Sequence, residues 1–110
     1  MIQELLSHGR ENAISTSILC ALTGLSERRL RGKIMEERKR GAIILYAPGG
    51  HGGYFLPSTD QEQAKREMLS FFNVQRARCF TSFAALRPVA RELGVPAGQL
   101  EFDGVENLGK

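Results

Sequence analysis

Seven of the fourteen residues from Glu27 to Arg40 are basic: Arg28, Arg29, Arg31, Lys33, Arg38, Lys39 and Arg40. Three are acidic, Glu27, Glu36 and Glu37, so the stretch carries more net positive charge than the whole chain's +3. Guanidinium and ammonium groups at this density suit a polyanionic partner. The bland alternative is the solvated face of an ordinary surface helix. Acid–base or nucleophilic chemistry has no comparable support. No Ser/His/Asp, Cys/His or metal-ligand spacing occurs. Glu36 and Glu37 are adjacent, so a helix points them about 100° apart. Gly49, Gly50, Gly52 and Gly53 do not fit a phosphate-binding loop pattern in a strand–helix setting. A non-enzyme is expected, without cofactor or metal. His8 and His51 read as exposed loop or helix-end side chains with nothing to pair with.

The elements around the basic run decide how it is presented. Residues 2–8 predict a short helix through Ile2, Leu5 and Leu6, closed by Gly9, and "RENAI" reads as extended chain. Ser15 is a natural N-cap, since its hydroxyl can accept an unpaired amide of the first turn. Ile18, Leu19 and Leu22 then have helical spacing, with Cys20 and Ala21 as small fillers. Gly24 ends this helix, and Ser26 caps a second one, Glu27 to about Arg40, which stops at Gly41. On that helix Leu30 and Ile34 point to the core. Arg28, Gly32 and Lys39 point nearly opposite, flanked by Arg29, Met35 and Glu36. A mid-helix glycine costs about 1 kcal/mol relative to alanine. Close approach of a phosphate backbone is one reason to tolerate it, and drift is the other.

Beyond Gly41 the pattern changes. Ile43–Tyr46 and Tyr54–Leu56 predict two strands, with "APGGHGG" as the turn between them. Pro57 ends the second strand. Asp60 and Gln63 fit a capping box, with Ser58/Gln61 and Thr59/Glu62 as competing registers. A long helix follows, to about Leu86, and Pro88 is expected to break or kink it. A shorter piece reaches Gly94, and residues 95–110 read as a loose tail.

Helix, tight turn, basic helix and glycine-tipped hairpin, in this order, resemble the winged helix-turn-helix family of DNA-binding domains. Leu19 and Cys20, "TGLS" at 23–26, Leu30, Ile34, Gly41 and "GGHGGYFL" carry the likeness, which covers residues 14–57. The text "RENAIST…LTGLSERRLR…GGYFLP" is also similar to small winged-helix proteins of phages and integrative elements of Gram-positive bacteria. The resemblance implies an α+β fold: a three-helix core with a two-stranded β wing, followed here by a long C-terminal helix. It divides the chain into a winged domain (1–57), a helical extension (58–94) that packs on it or mediates dimerisation, and a tail (95–110). It further implies double-stranded DNA as partner, read by helix 27–40 in the major groove, with the wing, 43–56, along backbone or minor groove. Regulation of transcription, excision or replication of a mobile element would follow.

Carried over by position, Ser26, Glu27, Arg28, Arg29, Gly32, Lys33 and Glu36 would face DNA. Arg28 and Arg29 are the candidates for guanine contact. Lys33, Lys39 and Arg40 suit phosphates, as does Ser26 beside the helix N-terminus. His51 at the wing tip would touch phosphate or minor groove. The wing departs from the family in carrying no Lys or Arg.

The long helix supports a rival reading. Leu69, Phe83 and Ala90 share one heptad position, and Phe72, Cys79, Leu86 and Leu93 another, with Arg76 interrupting the first. Four phenylalanines between Phe71 and Phe83 exceed what one face needs. Most should pack in the core, while Leu69, Phe72, Cys79, Phe83 and Leu86 are the dimerisation candidates for a homodimer. Alternatively the chain is a protein-interaction module, an adaptor or a phage-type inhibitor, using this helix or the wing. At 110 residues the chain makes one domain's worth of core. It has no apolar run long enough for a membrane helix and no secretory signal. Cys20 and Cys79 are far apart and expected to be buried and unpaired, which points to the cytoplasm.

Overall fold

The computed structural model describes residues 1–95. The protein is α+β: helices, a two-stranded antiparallel sheet, then a long helix. The helices are α1 (Thr16–Thr23), α2 (Glu27–Lys39) and α3 (Gln61–Leu93), and the strands β1 (Leu45–Ala47) and β2 (Gly53–Phe55). Two 3-10 turns, Ile2–Leu5 and Arg10–Asn12, precede α1. The expected helix over 2–8 is therefore one tight turn, and Leu6 is already extended. "RENAI" is not extended throughout, because Arg10–Asn12 turns before the chain straightens. The chain forms two compact units, Met1–Phe71 and Phe72 onward, with the boundary inside α3.

In the first unit the caps form as the sequence requires. Ser15 Oγ accepts the Ile18 N–H at 3.3 Å, and Ser26 Oγ accepts the Arg29 N–H at 3.2 Å. Gly24 closes α1 in the left-handed region at φ 73°, and its N–H bonds to Cys20 O at 2.9 Å. Any side chain there would be strained, so the glycine fixes the sharp passage from α1 to α2. Leu19, Leu30, Ile34 and Ile44 are the most deeply buried side chains, and they join Ile2, Leu6 and Tyr54 in one cluster. Ile18 and Leu22, expected in that core, are 54% and 63% exposed. An eight-residue helix crossing α2 so closely turns only a narrow stripe inward, and Leu19 fills it.

The ladder pairs Leu45 with Phe55, Tyr46 with Tyr54 and Ala47 with Gly53. The first strand starts later than expected, and Ile43 is exposed. Tyr54 gives its N–H and C=O to Ile14, so the ladder bonds fall on Leu45–Phe55 and Ala47–Gly53, and the next bonded pair would need Pro57, which has no N–H to donate. Arg38 Nε and Nη2 both donate to Ile44 O, at 3.0 and 2.7 Å. Strand β2 is held on its other side as well. Ile14 and Tyr54 exchange two backbone bonds of 2.9 Å, and His8 bridges Leu56 in parallel. His8 is not unpartnered, because Nδ1 donates to Pro57 O at 2.8 Å. A second cluster, Leu45, Ala47 and Phe55 with Ala13, Met68 and Phe71, is covered by the first turns of α3.

Asp60 caps α3, accepting the Gln63 N–H at 2.9 Å, but the box is not reciprocal. Ser58 Oγ takes the Asp60 N–H instead, and Gln63 Nε2 reaches Glu11 and Glu67. In the second unit, α3 runs through Pro88 to Leu93, so the proline does not break the helix. The proline forfeits one ladder bond, and the helix resumes around it. It ends at Gly94, where Val95 N–H bonds to Ala90 O and Gly94 N–H to Arg91 O, the bond pair of a Schellman cap. Of the expected tail, only Val95 lies inside the described residues. Cys79 is exposed rather than buried, while Cys20 packs against the first cluster.

Candidate nucleic-acid interface

The six cations of α2 and Arg40 at its C-cap differ in what each touches. Arg38 is structural. Beyond holding Ile44 O, its guanidinium lies 5.1 Å from the Phe71 ring centroid and 6.0 Å from that of Tyr54. Burial pulls its pKa down, partly offset by Tyr54, yet a guanidinium stays charged at any ordinary pH. Arg31 is paired on the surface with Glu27 one turn earlier. The other five, Arg28, Arg29, Lys33, Lys39 and Arg40, are exposed and make no ion pair or side-chain hydrogen bond among the described residues. Unpaired cations on a rigid helix keep their full charge for a partner.

These five do not share one face. Leu30 and Ile34 fix the inward direction. With 100° per residue, Arg28, Gly32 and Lys39 lie opposite it, with Met35 beside them and half exposed. Arg29 and Glu36 sit on one shoulder. Lys33 and Arg40 turn further, and with Glu36 they line a groove of about 490 Å³ shared with Met1, Leu5 and Leu22. A Cβ built on Gly32 would meet nothing within 4 Å, so packing does not demand the glycine. Ser26 Oγ accepts the Arg29 N–H, and its hydroxyl hydrogen remains available to an anion beside the helix N-terminus.

The hairpin tip, Pro48–Gly52, is closed by a Gly52 N–H bond to Gly49 O at 3.0 Å, and His51 is exposed on it. Every residue of β2 is buried. Gly53 is required there: its φ is 147°, and an added Cβ would collide with the Ile14 carbonyl.

Sequence reasoning missed Glu37. It is 5% exposed, and both carboxylate oxygens accept backbone amides, Ile2 N–H at 2.7 Å and Gln3 N–H at 2.8 Å. The signal available was helical phase, since Glu37 lies three residues beyond buried Ile34. It ties the N-terminal turn to α2 from the side opposite the outward cations.

The dimerisation candidates Leu69, Phe72, Cys79 and Leu86 are exposed and Phe83 is half-buried. Phe71 packs against the second cluster, and Phe80 of the second unit is exposed. Among the described residues no group of His, Cys, Asp or Glu side chains gathers to hold a metal ion. No helix among them is long and apolar enough to cross a membrane. No family model matches the chain, and no curated protein or solved structure matches it.

Proposed function

We propose that the first unit is a winged helix-turn-helix and that it binds double-stranded DNA through the outward face of α2. The observation that carries this reading is the set of exposed, unpaired cations on that helix, with Arg28 and Lys39 flanking open Gly32. The left-handed turn at Gly24 and the cap at Ser26 present the start of α2. The Ile14–Tyr54 bonds tie the hairpin back to the segment entering α1, which supports treating it as a wing. Arg28 and Arg29 read bases from the helix start. Lys39, with Lys33 and Arg40 on the flank, contacts phosphates. His51 at the tip touches backbone or minor groove. The role that follows is control of transcription, excision or replication on a mobile element in the cytoplasm.

Selection of bound duplex from a random pool, followed by titration of the winner at two salt concentrations, tests the proposal. An enriched sequence whose affinity falls steeply with salt is the expected result. No duplex binding at low salt overturns it. The protein-interaction reading draws on a separate feature, the exposed phenylalanines of α3, and leaves the α2 cations without a partner.

A further inference from the structure

The hairpin is too short to hold its own place. Each strand has three residues, and a two-stranded ribbon alone is marginal in water. Strand β2 and the Leu56 that follows it are tied down by four backbone bonds. Ile14 N–H meets Tyr54 O and Tyr54 N–H meets Ile14 O, both at 2.9 Å; Leu56 N–H meets Ser7 O at 2.9 Å, and Gly9 N–H meets Leu56 O at 2.8 Å. Strand β1 pairs with β2 along one edge. Bonding alternates along an antiparallel pair, so Ile44, one residue before Leu45, turns its carbonyl away from β2 to the outer edge. Arg38 takes it there, with Nε at 3.0 Å and Nη2 at 2.7 Å.

Given the DNA-binding reading of the first unit, on which this rests, we propose that Arg38 is the positioning residue that sets the hairpin against α2. The tip then reaches the duplex together with the outward face of the helix. Two donors converging on one oxygen hold it in the guanidinium plane, which a single donor cannot do. The guanidinium is held in turn by the Phe71 ring, 5.1 Å away, and the Tyr54 ring, 6.0 Å away. The Tyr54 ring also packs on that of Tyr46, with centroids 4.8 Å apart, which carries the restraint across to β1. One side chain thus joins α2, both strands and the part of α3 that belongs to the first unit.

Its place on α2 says which side of the helix the hairpin flanks. At 100° per residue, Arg38 falls between the Leu30–Ile34 stripe and the outward face, on the same side as Arg28 and Met35. Arg29, Lys33 and Arg40 lie on the other side. The tip therefore shares a surface with Arg28 and Lys39, and Arg29 works apart from it. Lysine at position 38 keeps the charge but replaces the fork with one ammonium, so it separates geometry from electrostatics.

Two measurements test this. On the free protein, amide residual dipolar couplings of α2, β1 and β2 should fit one frame. In Arg38→Lys the amides from Leu45 to Gly52 should no longer fit the frame of α2. A native hairpin that needs a frame of its own overturns the proposal without any variant, and one frame that fits both proteins overturns it as well. On the duplex selected from the random pool, His51→Ala should weaken binding about three- to tenfold in the native chain. It should cost nothing further in the Arg38→Lys background. Arg29→Ala, away from the hairpin, should cost the same in both. Met68→Ala loosens the second cluster but leaves the fork in place, so it should keep the His51 cost. If Met68→Ala erases that cost as fully as Arg38→Lys, general loosening sets the tip and the proposal falls. An equal His51 cost with Arg38 or Lys at position 38, or none in the native chain, overturns it while leaving DNA binding by the helix intact. A native chain that binds no duplex at low salt overturns the DNA reading and this inference with it.

Discussion

Glu37 Oε2 accepts the Ile2 amide hydrogen at 2.7 Å, joining residues thirty-five positions apart inside the first core. With the companion bond from Gln3, the carboxylate replaces the water that both amides would otherwise bind. Bonds to a charged group contribute about 1.5–3 kcal/mol each, and orphaning a buried donor costs a similar amount. Glu37→Ala should therefore lower unfolding free energy by about 2–4 kcal/mol, read from urea midpoints at unchanged slope. Glu36→Ala, one residue earlier and exposed, should stay within about 0.5 kcal/mol. Similar losses in the two variants would show that the buried bonds contribute nothing special.

Gly32 separates the needs of the fold from those of the proposed partner. The space around it is open, so Gly32→Ala should raise stability by about 0.5–1 kcal/mol. The same methyl stands on the face assigned to DNA, and affinity for the selected duplex should fall. A thermal melt and a binding titration on one sample check both signs. Rising stability with unchanged affinity would remove Gly32 from the interface.

Arg28→Ala and Arg29→Ala should each cost about 1–3 kcal/mol on the selected site and relax preference at one base position. Lys39→Ala should weaken all duplexes alike and reduce the salt slope by about one. Arg31→Ala is the control, since Arg31 is already committed to Glu27. Three unaltered affinities and salt slopes would dismiss the outward face as the binding surface.

What the sequence made legible follows from the range of each interaction. The caps at Ser15, Ser26 and Asp60 and the turn at Gly24 are contacts within a few residues, so residue type and spacing suffice to place them. Leu30 and Ile34 follow from helical phase. Exposed Leu22 and buried Glu37 do not, because each depends on which chain segment lies across α1 or α2, and that is a long-range fact. Arg38 looked like one more member of a basic run. Its role rests on Ile44 O and Phe71, which no local pattern announces. On α3 the heptad spacing was visible, but whether anything in this chain covers it was not.

Gly53 offers a sharp backbone test. Gly53→Ala sets a methyl into the Ile14 carbonyl at a φ that only glycine adopts freely. It should destabilise by more than about 2 kcal/mol and detach the hairpin from the chain entering α1. Gly50→Ala, at the open tip, should be nearly neutral. Hydrogen exchange at the Tyr54 and Ile14 amides reports the attachment directly. Equal protection in both variants would argue against a strict requirement at residue 53.

Glu67 should make the first unit sensitive to acid. Its carboxylate accepts the Arg10 N–H at 2.8 Å and the Ser58 N–H at 2.9 Å, and Gln63 Nε2 adds a third bond. Partial burial opposes the charge, but these bonds, with Arg66 nearby, outweigh it and hold the carboxyl below its usual range. A carboxyl depressed on folding contributes stability that is complete above its unfolded pKa and is lost as pH falls through the folded value. The site is largely solvated, so the contribution is a modest one. Urea unfolding of the native chain should thus show stability falling from about pH 5 downward. Glu67→Gln keeps one acceptor and removes the titration. It should be less stable than the native chain near neutrality and approach it at low pH. Parallel pH profiles for the two proteins would mean that the three bonds do not favour the charged form.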